Sequence, residues 1–125
     1  MRVILFRAHW IEPILQGRKV QTFRPVGKRA APVAGEALSL RVWQGRPYRS
    51  SQRELLAVHC SSVYRSVLDD GGVVVLDGSK GGRRMTVEQC ERFAWRDGFG
   101  SWEEMHEYFR RHATVPFEGN AISWD

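Results

Sequence analysis

The sequence predicts an α+β fold, a single domain over residues 1–125 built as a small mixed β-barrel of about five to six strands. Its length suits one domain with one hydrophobic core. Short alternating or apolar runs, separated by polar and glycine-rich loops, predict strands along most of the chain. A short N-terminal helix and a C-terminal helix pair are expected to cover the barrel.

The N-terminal end is predicted to form a strand and then a short helix. Residues 2–7 have the composition of a strand, and residues 10–16 follow as a helical segment. Pro13 is tolerated in a first helical turn, where its missing N–H would have no partner in any case. Gly17 suits the left-handed position that ends a helix.

The middle of the chain is predicted to be mostly strands. Residues 37–43 alternate like a half-buried strand, and residues 54–68 form a longer one with a bend or bulge near residues 61–62. Residues 73–76 are expected to return as a hairpin partner, followed by a glycine-rich turn over 77–82. The expected buried side chains are Leu38, Leu40 and Val42 in the first strand, and Leu56, Val58 and Cys60 in the second.

Two capping boxes predict the helix pair. Thr86 with Gln89 begins one helix, Ser101 with Glu104 begins the other, and a last strand is expected over residues 120–124. Periodicity assigns the helices apolar stripes, which we interpret as core. These stripes contain Val87, Cys90, Phe93 and Ala94 in the first helix, and Trp102, Met105, Tyr108 and Phe109 in the second.

Composition and residue spacing indicate where the protein is located and whether it binds a metal. No apolar run is long enough for a membrane span, and the four-residue apolar run near the N-terminus is too short for a signal peptide, so a cytoplasmic location is expected. The Cys and His residues have no metal-ligand spacing, so the sequence predicts neither a metal nor a cofactor. Cys60 and Cys90 are expected to be buried, reduced and structural.

The positive charge is concentrated in the first half of the chain. Residues 1–65 hold 12 Lys or Arg and 3 Asp or Glu, giving +9, whereas residues 66–125 hold 7 and 11, giving −4; the sum is the net +5. A basic half with interleaved aromatic residues indicates a polyanionic or phosphate-bearing partner. The alternative is that folding mixes the two halves and leaves no basic patch.

A dense set of hydrogen-bond donors follows the first helix. Arg18, Lys19, Gln21, Thr22 and Arg24 lie within seven residues. Two or three cations, a hydroxyl and an amide suit an anionic or hydrogen-bond-rich ligand. The alternative is a solvated loop whose basic residues are favoured by the helix macrodipole.

A second candidate surface lies on the strand over 37–43 and the loop that follows it. Arg41 and Trp43 are expected on the face opposite the apolar residues. Cations and aromatic rings there suit a nucleic-acid backbone and its bases. The expected ligand-binding residues of this surface are Arg41, Trp43, Arg46, Tyr48 and Arg49, and Arg7 at the end of the first strand is a further candidate.

Three motifs together resemble the ASCH (activating signal cointegrator homology) domain, in its small bacterial and phage type. Residues 17–24 are similar to the family pattern G-[RK]-K-x-x-T-x-R, and residues 35–41 to its second strand, G-[DE]-x-L-x-L. Residues 93–105, F-A-W-R-D-G-F-G-S-W-E-E-M, resemble its later helical block. The resemblance covers essentially the whole chain, with Val20 and Phe23 departing from residues common among relatives.

The resemblance implies a PUA-like β-barrel with a basic cleft between barrel and helices. Relatives are associated with RNA binding, others are described as ribonucleases, and a bacterial branch hydrolyses the amide of N4-acetylcytidine. Lys19 and Thr22 match two catalytic residues of that branch, and Asp97 stands where the branch has a glutamate. The resemblance thus implies that Lys19, Thr22, Arg24 and Asp97 converge on one cleft.

These residue types suit acyl chemistry. The Thr22 hydroxyl is a candidate nucleophile, a desolvated Lys19 its base, and Asp97 a proton shuttle. Arg24 would stabilise the oxyanion. The alternatives are that Lys19 meets a phosphate, that Thr22 holds a loop, and that Asp97 forms a structural ion pair with Arg24.

The favoured function is binding of RNA, of another single-stranded nucleic acid or of a modified nucleoside through the basic cleft. Hydrolysis of an N4-acetylcytidine-type amide is the alternative, and metal-independent ribonuclease activity is a second alternative. A basic half favours a polymer, because a free nucleoside carries no phosphate.

Overall fold

The structure of the chain is a computed structural model that describes residues 1–78 and 80–125. Over these residues the chain forms eight strands and three α-helices, with one 3-10 turn, Ala8–Trp10, leading into the first helix. In chain order the elements are β1 (Arg2–Phe6), α1 (Ile11–Leu15), β2 (Gln21–Pro25), β3 (Ala37–Trp43), β4 (Gln52–His59), β5 (Ser62–Asp69), β6 (Gly72–Val75), β7 (Arg83–Arg84), α2 (Val87–Arg96), α3 (Trp102–His112) and β8 (Phe117–Ser123).

The strands are divided between two sheets. The first has the order β1-β3-β4 and the second the order β2-β8-β5-β6-β7. The expected α+β class is therefore confirmed, but the described residues form two sheets rather than the single closed barrel that was expected. Two strands, β2 and β7, were not predicted. The polar stretch β2 is a strand because it pairs along its whole length with β8, and pairing partners are not encoded in a strand's own periodicity.

The first sheet forms one hydrophobic core with α1. β1 runs parallel to β3, and β3 runs antiparallel to β4. The expected inward face of β3 is confirmed, because Leu38, Leu40 and Val42 are all buried. A register shift between Leu40 and Arg41 makes Leu55 the most buried residue of β4, whereas the expected Leu56 and Val58 are only partly buried.

The second sheet packs against α2 and α3 around a cluster of aromatic rings. Phe23 of β2 contacts Phe93 of α2 and Phe109 of α3, with ring centroids 5.4 and 5.6 Å apart. Most of the predicted helical stripes are buried, but Val87 is exposed because it faces solvent at the first position of α2. Both cysteines are buried and free, as expected.

The predicted caps begin both long helices. Thr86 and Gln89 form a complete capping box at α2. At α3 Ser101 Oγ accepts from the Glu104 N–H, but the Glu104 carboxylate accepts from the Gly100 N–H instead of completing the box.

The predicted turn over residues 77–82 includes Ser79, which lies outside the described residues. Among the helices of the described part, none is both long and apolar enough to cross a membrane.

Candidate functional site

A cavity of about 290 Å³ lies where β1, β2, the end of α2 and α3 meet. β1 and β2 are outer strands of their respective sheets, so the cavity opens along the line between the two sheets. We call it the site cavity. Its lining combines aromatic rings with polar and charged side chains. The rings are Phe6, Trp10, Phe23, Phe99, Tyr108, Phe109 and Phe117, and the polar and charged side chains include Lys19, Thr22, Arg24 and Asp97.

Lys19 is placed in the cavity wall by the end of the first helix. Gly17, with φ +75°, turns the chain after α1, and the Lys19 N–H donates to Pro13 O at 3.0 Å. The side chain is only 2% exposed. Its Nζ donates to Gln21 O at 2.8 Å and to Asp97 O at 2.6 Å, and it lies 4.4 Å from the centroid of a Trp10 ring.

Asp97 approaches the same point from the C-terminal end of α2. It is the C-cap residue of that helix, and Gly98 follows at φ +99° to reverse the chain. Asp97 Oδ2 lies 3.6 Å from Lys19 Nζ, and Oδ1 accepts from Gln21 Nε2 at 3.4 Å. Both partners of this ion pair are buried, so it is held in a low-dielectric wall rather than in solvent.

Arg24 connects the two sheets beside this pair. Its Nη2 donates to Leu5 O of β1 at 2.6 Å, and its Nε donates to Thr22 Oγ1 at 2.9 Å. The guanidinium also lies 4.9 Å from the centroid of the Phe6 ring. The proposed alternative of an Asp97–Arg24 ion pair is therefore wrong, because the ion-pair partner of Asp97 is Lys19.

Burial dominates the electrostatics of the pair. The pKa of Lys19 is lowered to about 8, chiefly by burial and to a smaller extent by Arg24, whereas the Asp97 carboxylate acts to raise it. Burial raises the pKa of Asp97 to about 6, against the opposing effects of Lys19, Gln21 and Arg24. Both groups are thus mostly charged at pH 7, and each lies within about one pH unit of changing its charge.

The arrangement can donate hydrogen bonds and can also supply a base. In its charged form Lys19 is held by two carbonyls and one carboxylate, and Arg24 adds a second cation in the wall. In its neutral form, reached near pH 8, Lys19 becomes a proton acceptor in the same cavity as the Thr22 hydroxyl. In the part of the chain that is described, no three His, Cys, Asp or Glu side chains are grouped as metal ligands.

The other predicted ligand-binding residues near the N-terminus differ in their relation to the site cavity. Arg7 is exposed and lines it. Gln21 lies behind Asp97 and orients its carboxylate. Arg18 lies outside the lining, because its guanidinium donates to Gly98 O and Phe99 O at 2.7 and 3.0 Å and stacks over the Trp95 ring at 3.9 Å.

The strand-and-loop surface predicted for nucleic acid is not part of the site cavity. Arg41 donates to Ser39 Oγ and to Gln52 Oε1. Trp43 packs against Tyr48, with ring centroids 5.1 Å apart. None of the five predicted residues of this surface lines the site cavity, so the structure separates the two candidate regions.

Sequence reasoning missed the aromatic walls. Tyr108 and Phe109 were interpreted as core, but both line the cavity. Trp10 was not singled out, although it lies in the helical segment just before the motif. The glycine at position 98 is a sequence feature that is explained by Trp10, because a Cβ at that position would lie 2.5 Å from a Trp10 ring atom. A side chain at residue 98 would therefore displace one wall of the site.

Comparison of the chain with models of known protein families, with curated proteins and with solved structures found no match.

Proposed function

We propose that the protein binds a nucleobase in the site cavity, as part of RNA, of another single-stranded nucleic acid or of a modified nucleoside. The observation that carries this proposal is the convergence of a buried Lys19–Asp97 pair, Thr22 and Arg24 on one cavity with aromatic walls. Flat, apolar faces suit a heterocyclic ring, and the charged groups suit the carbonyl and amine groups at its edge.

The size of the cavity supports a small ligand. At about 290 Å³ it lies at the lower end of the usual range of ligand pockets, roughly 300–1,000 Å³. The wall carries three cations, Arg7, Lys19 and Arg24, and one anion, Asp97. This excess of positive charge favours an acceptor-rich ligand such as a pyrimidine with its ring carbonyl.

The fold and family belong to the same proposal. We infer an ASCH-type domain of the PUA-like class from the three sequence motifs. The order of elements supports it, since a strand, a short helix, several strands, a helix pair and a closing strand follow one another as the resemblance implies. The meeting of residues 17–24 with residues 97–99 at one cavity gives it further support.

Binding can be tested with a matched pair of tryptophan variants. Trp10→Leu removes a ring from the cavity wall, and Trp43→Leu removes a partly buried ring outside it. Titration calorimetry with cytidine and N4-acetylcytidine should show weaker binding for Trp10→Leu only. The expected loss is about 1–3 kcal/mol, the usual contribution of one stacked base. Wild-type protein that binds neither nucleoside, or equal losses in both variants, would remove the proposal.

A second function, hydrolysis of an N4-acyl amide, is favoured by one observation, the lowered pKa of Lys19 in the cavity that contains Thr22. Neutral Lys19 would take the Thr22 Oγ proton as Oγ attacks the acyl carbon, with Arg24 stabilising the oxyanion. Breaking the C–N4 bond then returns the proton from Lys19 to the leaving amine. Water hydrolyses the threonine ester, releasing the acid and restoring the hydroxyl.

The hydrogen bonds around Lys19 and Thr22 support binding more directly than hydrolysis. Among the described residues no hydrogen bond joins Lys19 Nζ to Thr22 Oγ1, and Thr22 Oγ1 already accepts from Arg24 Nε. Hydrolysis therefore requires a bridging molecule or a side-chain rearrangement. Incubation with N4-acetylcytidine and with labelled single-stranded RNA, followed by chromatography, tests hydrolysis and strand cleavage together. Unchanged substrates, with binding retained, would leave a binding protein.

A further inference from the structure

A second cavity, of about 310 Å³, adjoins the site cavity and shares two lining residues with it, Arg24 and Pro25. Its floor is formed by β1 and β8, and its other wall is the loop that follows β2. Because β1 and β2 are the outer strands of their sheets, both cavities lie on the line between the sheets. We call this second cavity the seam groove. The two cavities therefore form one path, and they meet at Arg24 and Pro25.

The far end of this path carries unpaired positive charge. Arg2 is held by Glu36 at 2.7 Å and by Ala30 O at 2.8 Å. Lys28 and Arg29 line the groove, are exposed, and form no ion pair among the described residues. Glu36 acts on Arg29 only through a longer-range attraction, and exposed cations held in no ion pair are the groups that exchange condensed counterions for phosphates.

The other basic regions of the molecule are less suited to extend the site. A larger cavity beneath α2 contains three arginines, but Arg83 and Arg96 are paired with Asp77 and Asp125. The loop after β3 carries Arg46 and Arg49, which do not line either cavity of the path. Among the described residues, the seam groove joins the exposed Lys28 and Arg29 to the site cavity through shared walls.

We propose that a single-stranded nucleic acid runs along the seam groove, with one base in the site cavity and the following phosphates on Lys28 and Arg29. This inference rests on the proposed function and makes it more specific. A free nucleoside carries no phosphate and uses only the site cavity, so the groove assigns the natural ligand to the class of nucleic-acid strands. Arg24 lies at the junction and separates the base position from the phosphate positions.

Two double variants with the same charge change test the path. Lys28→Ser with Arg29→Ser removes two cations from the groove, and Arg46→Ser with Arg49→Ser removes two from the loop after β3. The probes are a fluorescein-labelled octamer of oligocytidylate RNA and free cytidine. Anisotropy follows the octamer at several salt concentrations from 50 to 400 mM, and calorimetry follows cytidine. Thermal melting confirms that both variants keep the fold.

The groove variant should flatten the salt dependence of octamer binding. Each phosphate contact on a single strand contributes a slope of about −0.7, so losing two contacts changes the slope by about 1.4. At 0.1 M salt this corresponds to about 25-fold weaker binding, extrapolated from 1 M where the electrostatic term vanishes. Cytidine affinity should be unchanged in both variants, and the loop variant should bind the octamer like the wild type.

Two results would overturn the path: an unchanged slope in the groove variant, or an equal or larger loss in the loop variant. If cytidine still binds in either case, the proposal that the site cavity binds a base is retained, and only the proposed path of the strand along the seam groove is rejected. Failure of the proposed function has a different signature, in which wild-type protein does not bind cytidine and Trp10→Leu leaves octamer binding unchanged.

Discussion

Asp97→Asn should change how stability depends on pH, because the buried Lys19–Asp97 pair costs stability when both groups are charged. The pKa of Asp97 is raised by burial to about 6 in the folded protein, whereas an unfolded chain has an ordinary value of 3.8. Between these values the folded state binds more protons than the unfolded state. The free energy of unfolding must therefore fall as the pH rises through this interval.

The magnitude follows from the size of the shift. A difference of about two units, at 1.36 kcal/mol per unit, amounts to about 3 kcal/mol over the whole titration. About 2 kcal/mol of it is lost between pH 4 and pH 7, because the unfolded carboxyl is already partly deprotonated at pH 4. Lys19 affects the free energy of unfolding above pH 7, because its pKa is lowered from 10.5 to about 8. There the unfolded state holds the proton that the folded state has lost, so stability rises again as the pH increases above 8.

Urea unfolding of the wild type and of Asp97→Asn at pH 4, 5, 6 and 7 measures the effect. Asparagine has nearly the same shape and does not titrate, so its difference from the wild type reports Asp97 together with the lower pKa that Lys19 has without this carboxylate. Surface carboxylates with a lowered pKa, such as Asp69 and Asp125, are present in both proteins and cancel. The free energy of unfolding of the wild type, minus that of the variant, should fall by about 2 kcal/mol from pH 4 to pH 7.

Lys19→Met supplies a second variant with a different expected profile. It removes the group that most strongly opposes the raised pKa of Asp97, so the fall in stability should move to higher pH. A difference between wild type and Asp97→Asn that stays flat or rises from pH 4 to pH 7 would refute the reasoning. It would mean that the attraction between the two charges outweighs the cost of burying them.

Three further results are expected. Gly98→Ala should lower stability by about 2–5 kcal/mol in denaturant unfolding, combining a positive φ with a clash 2.5 Å from a Trp10 ring atom; Gly17→Ala, at φ +75° in open space, should lose only about 1–2 kcal/mol. Equal losses would contradict the clash. Thr22→Val should cost about 1–3 kcal/mol, because it leaves a half-buried guanidinium N–H without its acceptor, whereas Thr22→Ser should retain the wild-type stability. If N4-acetylcytidine is hydrolysed, Lys19→Arg should stop release of cytidine in a chromatographic assay, since arginine stays protonated; substantial turnover would exclude Lys19 as the base.

The helices could be predicted well because their signals are local. The capping residues Thr86 and Ser101 precede periodic apolar residues, and both helices begin where these caps predict. The strand β3 was equally clear, because Leu38, Leu40 and Val42 alternate with polar residues. In each case a few neighbouring residues carry the whole pattern.

The strand that carries the site could not be predicted from its own sequence. β2 begins with Gln21 and Thr22, which are polar and yet buried. Thr22 lines the site cavity, and Gln21 donates to the buried Asp97 carboxylate. Polar residues at inward positions hide the alternation that identifies a strand. Its neighbour Lys19 meets Asp97 across 78 residues of chain, and local spacing carries no information on such a contact.

The energetics of the pair and its position support a role in binding a ligand. A buried ion pair is often replaced by apolar side chains of similar volume without loss of stability, so stability alone gives no reason to keep Lys19 and Asp97. The pair does not lie in a closed core but in the wall of a cavity with aromatic sides. A ligand with a ring carbonyl and an amine would offer each charge a further hydrogen bond where it now lacks solvent. Burying the two charges lowers stability, but it holds both side chains in a fixed orientation before the ligand binds. The same preorganisation would also assist hydrolysis if it occurs.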